Sequence, residues 1–106
     1  MNTQLKKGVL SLCVLSLLNR RDCYGYEIIQ YISNHINISA GTVYPILKKI
    51  LDDGYAETYL KDSNEGPARK YYTITPSGRR AYEFQTNEWK EFYEAVNVIL
   101  RGDDNE

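Results

Sequence analysis

The end of the chain contains a helix that is too long for the body to which it is attached. Thr75 and Pro76 supply a capping side chain and a proline at the first helical position, which together are a common helix start. The helical pattern then continues to about Arg101, and at about 1.5 Å per residue such a helix measures about 40 Å. A chain of 106 residues has too few other residues to cover a helix of that length.

Large side chains recur along this helix at an approximately heptad spacing, which is typical of a helix that packs against another helix. No other part of the chain is available to cover all of them. We therefore expect this stripe to form the contact between two subunits of a homodimer. We assign residues 76–106 to a dimerisation helix with an acidic tail. The residues predicted for the interface are Thr86, Trp89, Phe92, Tyr93 and Val96.

Two helical segments are predicted in the first third of the chain. Apolar residues recur at helical spacing from about residue 4 to 19, and the segment YGYEIIQYISN, residues 24 to 34, fits a second helix. Gly25 near the start of that helix suggests a close approach to the first helix. Ile36 and Ile38 then alternate with polar residues, which predicts a very short strand or an extended link.

A third helix follows, with Ser39 as its predicted N-cap and Gly54 at its left-handed C-terminal cap. Pro45 lies inside it and removes a backbone donor. Because the apolar period continues through the proline, we predict a bend and not a break. The apolar face comprises Val43, Ile46, Leu47, Ile50 and Leu51.

Two strands are predicted between the third helix and the last one. The segments AETYLK, residues 56 to 61, and KYYTIT, residues 70 to 75, alternate with a period of two and are rich in tyrosine and threonine. The intervening DSNEGPAR predicts a loose loop that is too long for a tight hairpin. The predicted fold class is therefore mainly α with a small two-stranded β-wing, which is a winged helix-turn-helix in residues 1–75 followed by one long helix.

The polar face of the third helix and the wing together favour a nucleic-acid partner. A helix of this kind fits the major groove of duplex DNA, and cations on a wing reach neighbouring phosphates. Two alternatives stay open when each element is taken alone: the helix is an ordinary amphipathic helix with a solvated face, and the wing is a charged edge that deters strand pairing. The candidate DNA-binding residues are Ser39, Thr42, Tyr44, Lys48, Lys49, Lys61, Arg69 and Lys70.

Composition excludes several other classes of function. Cys13 and Cys23 are ten residues apart and distant from the single His35, so we predict reduced thiols, no metal site and a cytoplasmic protein. Lys6 and Lys7 precede an apolar run of only eleven residues, which is too short to span a bilayer. No catalytic constellation is recognisable, so we predict neither an enzyme nor a cofactor.

Three spaced motifs resemble the PadR family of bacterial transcriptional regulators. They are YGYEI at 24–28, SAGTVYPILKKILDDGYAE at 39–57 and EGPARKYYTITPSGR at 65–79. They resemble, in turn, the start of the family's second helix, its recognition helix and its wing. The resemblance covers roughly residues 5–80, and the single helix that follows is similar to the short subclass of the family.

The resemblance implies a repressor that binds double-stranded DNA as a homodimer through its C-terminal helix. Certain short members bind flat aromatic compounds between tryptophans at the dimer centre, and Trp89 is similarly placed. A small aromatic effector is therefore one expectation, and a purely packing role for Trp89 is the other. A winged-helix module that binds a protein instead of DNA is the alternative function, because one fold supports both uses.

Overall fold

The computed structural model describes residues 3–102, with side chains from residue 8 onward. In chain order its elements are α1 (Thr3–Arg20), β1 (Cys23–Tyr24), α2 (Gly25–Ser33), α3 (Ala40–Asp52), β2 (Ala56–Ser63), β3 (Gly66–Ile74) and α4 (Pro76–Arg101). The predicted fold class is confirmed, with one additional strand. The predicted acidic tail beyond Gly102 lies outside the described residues.

Helix α1 forms the centre of the core, because its sequence is apolar on nearly every side. It contacts α2, α3, α4 and β3. Helices α2 and α3 are amphipathic, and each buries one apolar face in the same core. The apolar face predicted for α3 is confirmed apart from Leu51, which is half-buried. The buried residues of the three helices are Leu10, Val14, Leu15, Leu17, Leu18, Ile28, Ile32, Val43, Ile46, Leu47 and Ile50.

The sheet has three antiparallel strands in the order β1-β3-β2. Strand β1 pairs Cys23 with Tyr72 and Tyr24 with Tyr71. This strand is not predicted from the sequence, since two residues are too few to show an alternation. For residues 36–38 the sequence leaves a very short strand or an extended link open, and the structure has no strand there. The Ile36 N–H donates to the Ile32 carbonyl at 2.8 Å, so the chain is still turning there and then continues without regular structure.

The wing is a tighter hairpin than the sequence predicts. Strand β2 continues to Ser63 and β3 begins at Gly66, which leaves only two residues in the turn. The pairing of β2 with β3 shifts register between Lys61 and Ser63, and Gly66 adopts a φ of +152°. The loose loop predicted at residues 62–69 is therefore wrong. Near the tip both faces of the strands are exposed, so polar residues replace the alternating pattern there.

Helix α3 continues through Pro45 without a break, as predicted. At its end the Tyr55 N–H donates to the Ile50 carbonyl and the Gly54 N–H to the Leu51 carbonyl, both at 3.0 Å. Gly54 has a φ of +75°, so the predicted left-handed cap is confirmed as a Schellman motif. Ser39 occupies the N-cap position with extended backbone, but its side chain accepts no backbone N–H.

The start of α4 is held against the end of α3. The Thr75 N–H donates to the Tyr55 carbonyl at 3.0 Å, and the Thr75 hydroxyl donates to the Gly54 carbonyl at 2.7 Å. The same hydroxyl accepts the Gly78 N–H at 3.0 Å, so the predicted helix cap is confirmed. A Cβ at Gly78 would overlap the Tyr55 carbonyl oxygen and lie 2.7 Å from Ile74 Cγ1. Glycine is therefore required at this position.

Candidate functional site

The first two turns of α3 present hydroxyl groups and one aromatic ring to solvent. The Ser39 and Thr42 hydroxyl oxygens lie 3.3 Å apart and share a hydrogen bond. Ser39 is exposed, and Thr42 is half-buried. Tyr44 is 53% exposed although it is a large hydrophobic residue. This end of the helix therefore offers donors, acceptors and an apolar surface without a protein partner that covers them.

The two lysines at the other end of α3 are engaged in ion pairs. Lys48 Nζ lies 2.8 Å from Asp52 Oδ2, and Lys49 Nζ lies 3.2 Å from Asp53 Oδ2. The hydrogen bond to Asp52 raises the pKa of Lys48. Both lysines remain exposed. Their charges are thus locally balanced, and a phosphate would compete with an aspartate for each of them.

Two predicted cations of the wing lie on its outer face, above a row of tyrosines. Lys61 and Arg69 are cross-strand partners on β2 and β3. Lys61 Nζ lies 5.3 Å from the centre of the Tyr71 ring, and Arg69 Cζ lies 4.6 Å from the centre of the Tyr24 ring. Arg69 Nη2 is also 3.7 Å from Glu65 Oε2. The aromatic rings therefore hold both cations at defined places instead of leaving them on a flexible tip.

Lys70 projects from the opposite face of β3, beside Tyr72, with its Nζ 5.7 Å from the centre of that ring. Tyr72 is buried, so this face of the wing is the one that packs on the core. A cleft of about 360 Å³ lies between the wing and the helices, is lined by residues from both faces of β3, and is called the reading cleft. Its lining residues are Tyr24, Gly25, Tyr26, Tyr44, Arg69, Lys70 and Tyr72.

The reading cleft joins residues of α3 and of the wing that are distant in sequence. It brings Tyr44 together with Arg69 and Lys70. The other five candidates do not line it: Ser39, Thr42, Lys48, Lys49 and Lys61. Tyr24 and Tyr26 are additional members, and their rings stack with centres 6.4 Å apart. Neither is among the predicted site residues, because the sequence YGYEI predicts only the beginning of α2. The available signal was the pair of tyrosines beside a glycine at a helix start.

Gly25 faces α3 and not α1, which corrects the expectation for this residue. A Cβ built on Gly25 would lie 3.6 Å from the Tyr44 ring, which is ordinary van der Waals contact. The beginning of α2 therefore packs beside the exposed face of α3. This contact explains why Tyr44 belongs to the reading cleft.

The predicted interface residues lie on one side of α4, in a stripe that continues past the body. Trp89 is 38% exposed and Phe92 is 57% exposed, while Thr86 and Val96 are half-buried. The Trp89 and Tyr93 rings are in contact, with centres 5.8 Å apart. Further along the stripe Ile99 and Leu100 are also exposed. This stripe, from Trp89 to Leu100, is called the apolar stripe below.

A groove of about 510 Å³ separates the middle of α4 from the beginning of α1. Gly8, Val9, Ser11 and Leu12 form one wall, and Trp89 and Phe92 belong to the other. The groove thus continues from the apolar stripe into the body. It has the size of a small-molecule site.

Both cysteines are free thiols, and burial raises the pKa of each. Cys23 lies within the core, whereas Cys13 is half-buried. Within residues 3–102, no group of three or more histidine, cysteine, aspartate or glutamate side chains is placed to hold a metal ion. None of the helices in that range is both long and apolar enough to cross a membrane.

Comparison with known proteins identifies the family. Residues 14–84 match the transcriptional regulator PadR-like family. A PadR-like transcriptional regulator of known structure from Bacillus cereus is 35% identical, with a TM-score of 0.84 over 92% of this chain and 97% of that chain. An uncharacterised protein from Lysinibacillus sphaericus is 34% identical over 100 residues, which are 91% of this chain and 92% of that protein.

A more distant relative is the negative transcriptional regulator PadR of Bacillus subtilis, which is 29% identical over 76 residues. The aligned region is 68% of this chain and 42% of that protein. The family match includes α3, the wing and the start of α4, which are the elements that build the reading cleft and orient the long helix. The chain therefore belongs to the PadR-like family of transcriptional regulators, which bind DNA and are not enzymes.

Proposed function

We propose that the chain is a cytoplasmic repressor that binds a pseudo-palindromic DNA operator as a homodimer. The reading cleft carries this proposal, because it joins Tyr44 of α3 to Arg69 and Lys70 of the wing. The apolar stripe supports the dimer. The printed name of the Bacillus subtilis relative, a negative regulator, supports repression. Residues 1–75 form the DNA-binding part in this proposal, and residues 76–106 form the dimerisation part.

Each subunit places the first half of α3 in a major groove. Ser39 and Thr42 then hydrogen-bond to bases or phosphates, and Tyr44 adds a hydroxyl and an apolar contact. The N-terminal amides of α3 favour a phosphate. In a dimer the two helices bind half-sites about 34 Å apart, which is one turn of DNA.

The cations of the site have different roles in the proposal. Lys70 and Arg69 bind the phosphates beside the major groove, and Lys61 extends this contact along the outer face of the wing. Within residues 8–102, neither Lys61 nor Lys70 forms a salt bridge with a carboxylate, so DNA does not have to displace a protein partner from them. Lys48 and Lys49 contribute only when phosphate replaces Asp52 or Asp53.

The substitution Lys70→Ala tests the phosphate contact. Its affinity for duplex DNA should fall for every sequence, and the slope of log K against log salt should become shallower by about one unit. Lys90→Ala is the matched control, because Lys90 is an exposed cation on α4, away from the reading cleft. Fluorescence anisotropy across a salt series, with random-sequence duplexes and with duplexes selected from a random library, measures both quantities.

If the slope of log K against log salt were the same for Lys70→Ala and the unsubstituted protein, Lys70 would not contact a phosphate. If the unsubstituted protein bound no duplex even at low salt, the DNA-binding role itself would be lost. The wing would then belong to a module that binds a protein partner.

We further propose that a planar aromatic effector binds beside Trp89 and relieves repression. The groove between α1 and α4 has the required size, and Trp89 with Phe92 supplies aromatic walls. A ligand there changes DNA affinity only if it binds more tightly to one arrangement of the two subunits than to the other.

Quenching of the single tryptophan by a panel of planar aromatic compounds tests this part. We expect saturable quenching together with a change in DNA affinity at the same ligand concentrations. Absence of quenching across a broad panel would assign Trp89 to dimer packing alone.

A further inference from the structure

The outer face of the sheet carries three tyrosines in a row that crosses all three strands. Tyr24 on β1 pairs with Tyr71 on β3, and Tyr71 pairs with Tyr59 on β2. The ring centres of Tyr24 and Tyr71 lie 5.4 Å apart, and those of Tyr71 and Tyr59 lie 5.7 Å apart. Side chains directly opposite each other on neighbouring strands are close enough to pack in this way. We call these three residues the tyrosine row.

The tyrosine row is the last place at which the wing pairs with a third strand. Strand β1 pairs with β3 only at Tyr72 and Tyr71. From this row to the tip, no further strand lies beside the hairpin among the described residues, and residues 57–62 of β2 are all exposed. Arg69 and Lys70 lie just beyond the row. Their positions relative to α3 therefore depend on the angle at which the hairpin leaves the body.

A hydrogen bond across the sheet restrains the free edge of the hairpin at this row. The Tyr59 hydroxyl donates to Asp22 Oδ2 at 2.7 Å, which is a typical length for a hydroxyl bound to a carboxylate. Asp22 lies two residues before Tyr24, so the alternation of a strand places both side chains on the outer face. Strand β2 is thus connected to the chain before β1, although β3 lies between them. We call this hydrogen bond the wing clasp.

Both parts of the Tyr59 side chain are held in place. The ring lies nearly parallel to the Tyr71 ring, at an angle of 17°, and the hydroxyl ends at Asp22. The hydrogen bond to Asp22 raises the pKa of Tyr59, so the hydroxyl keeps the proton that it donates. Since Tyr59 is 40% exposed, these two contacts and not burial in the core determine its position.

The charge of Asp22 is unfavourable on a surface that binds DNA. Within residues 8–102, Asp22 forms no salt bridge with a lysine or an arginine, so no cation balances its carboxylate. It is exposed, and it lies on the same face of the sheet as Lys61 and Arg69. A carboxylate there repels phosphates. Any benefit of Asp22 to DNA binding therefore comes from its hydrogen bond and not from its charge.

We propose that Asp22 and Tyr59 are positioning residues for DNA binding, which hold the wing at the angle that DNA requires without touching the DNA. This inference rests on the proposed function and adds to it two residues outside the reading cleft. A surface that is already ordered binds more tightly, because less conformational freedom is lost on binding. The wing clasp thus increases affinity although one of its two groups repels DNA.

Two substitutions at Asp22 separate position from charge. Asp22→Asn removes the charge and keeps an acceptor for the Tyr59 hydroxyl, whereas Asp22→Ala removes both. Asp22→Asn should bind duplex DNA equally well or up to about threefold more tightly, because a repelling charge is removed. Asp22→Ala should bind about threefold to tenfold more weakly, although it removes the same charge. If the two variants bound equally well, charge alone would explain the effect and the inference would be overturned.

Glu57→Ala is the matched control for Asp22→Ala. Glu57 is an exposed carboxylate on β2, two residues before Tyr59 and therefore on the same face. Within residues 8–102 it forms no salt bridge. Its removal should not weaken DNA binding. A loss as large as that of Asp22→Ala would contradict a specific role for the wing clasp.

Tyr59→Phe, alone and combined with Asp22→Ala, tests whether the two groups act as a pair. Phenylalanine keeps the ring on Tyr71 and has no hydroxyl. Tyr59→Phe should bind at least as weakly as Asp22→Ala, because it leaves the Asp22 carboxylate unpaired. The double variant should bind as Asp22→Ala does, since the hydrogen bond can be lost only once. Losses that multiplied in the double variant would show that the two side chains act independently.

The salt dependence of binding distinguishes positioning from contact. Anisotropy titrations across the salt series used for Lys70→Ala should give Tyr59→Phe the same slope as the unsubstituted protein, because no phosphate contact is lost. A slope shallower by about one unit would instead make Tyr59 part of a phosphate contact. If the unsubstituted protein bound no duplex, the proposed function and this inference would both be lost. If it bound duplex and Tyr59→Phe bound equally well, only this inference would be lost.

Amide hydrogen exchange of the free protein gives a measurement without DNA. Residues 60–63 and 66–70 should exchange faster in Tyr59→Phe and Asp22→Ala than in the unsubstituted protein and Asp22→Asn, because the hairpin opens more often. Exchange in α1 should remain the same in all four proteins, which shows that the body is intact. Equal exchange of the wing in all four proteins would show that the wing clasp does not restrain the hairpin.

Discussion

Gly78 shows how strongly a single residue constrains this molecule. It lies in the first turn of α4, where the helix passes directly over the Tyr55 carbonyl. Neither a turn nor a positive φ is involved, because Gly78 lies within the regular helix. The constraint is one of space alone, since the backbone that follows α3 occupies the volume of a side chain.

Gly78→Ala should therefore destabilise the protein by about 2 kcal/mol or more, because the overlap involves backbone that cannot rotate away. Urea unfolding monitored by circular dichroism measures the change in the free energy of unfolding. Gly8→Ala is the control, since a Cβ at Gly8 meets no atom within 4 Å and the residue lies inside α1. That variant should gain about 0.5 to 1 kcal/mol from helix propensity. A Gly78→Ala protein as stable as the unsubstituted one would refute the steric argument.

At the scale of elements, sequence patterns located helices better than they located the edges of the sheet. The ends of α3 and the start of α4 were predictable, because Gly54 and Thr75 carry cap chemistry that depends on neighbouring residues only. Strand β1 was not predictable, because its two residues gain their pairing from Tyr71 and Tyr72, which are distant in sequence. The reading cleft depends on that same pairing, so its tyrosines could not be assigned from local pattern.

The contact between Arg69 and the Tyr24 ring also gives the wing a testable property. Tyr24→Leu should weaken DNA binding about twofold to fivefold although it removes no charge, because Arg69 loses the ring over which it lies. Tyr24→Phe keeps the ring and should bind as the unsubstituted protein does. Anisotropy titrations at one fixed low salt concentration compare the three proteins. If the phenylalanine variant were as weak as the leucine variant, the hydroxyl and not the ring would be the functional group.

At the scale of the whole molecule, the length of α4 determines the shape. The principal extents are 61 × 28 × 20 Å, so the helix carries the apolar stripe well outside the body. Exposed apolar stripes of this extent indicate an interaction surface. A second copy of the chain is the occupant that we propose, because the stripe has the heptad-like spacing of helix pairs.

Val96 and Val98 provide a matched test of the dimer. They are two positions apart near the end of α4, but their side chains point to opposite sides of the helix. Val96 belongs to the apolar stripe and Val98 does not. Val96→Asp should shift sedimentation equilibrium to monomer at micromolar concentration, whereas Val98→Asp should remain dimeric. A dimer that survived Val96→Asp would place the contact on another surface.

The contact between the start of α4 and the end of α3 limits which movements a signal can cause in the proposed dimer. Three contacts, from Thr75 to Tyr55, from Thr75 to Gly54 and from Gly78 to Tyr55, fix the root of the long helix on the residues that end α3. The first turn of α4 is thus attached to the end of α3 by backbone contacts. In the proposed dimer, we therefore expect the distance between the two DNA-binding surfaces to be adjusted where the two long helices cross, and not where each helix meets its own body.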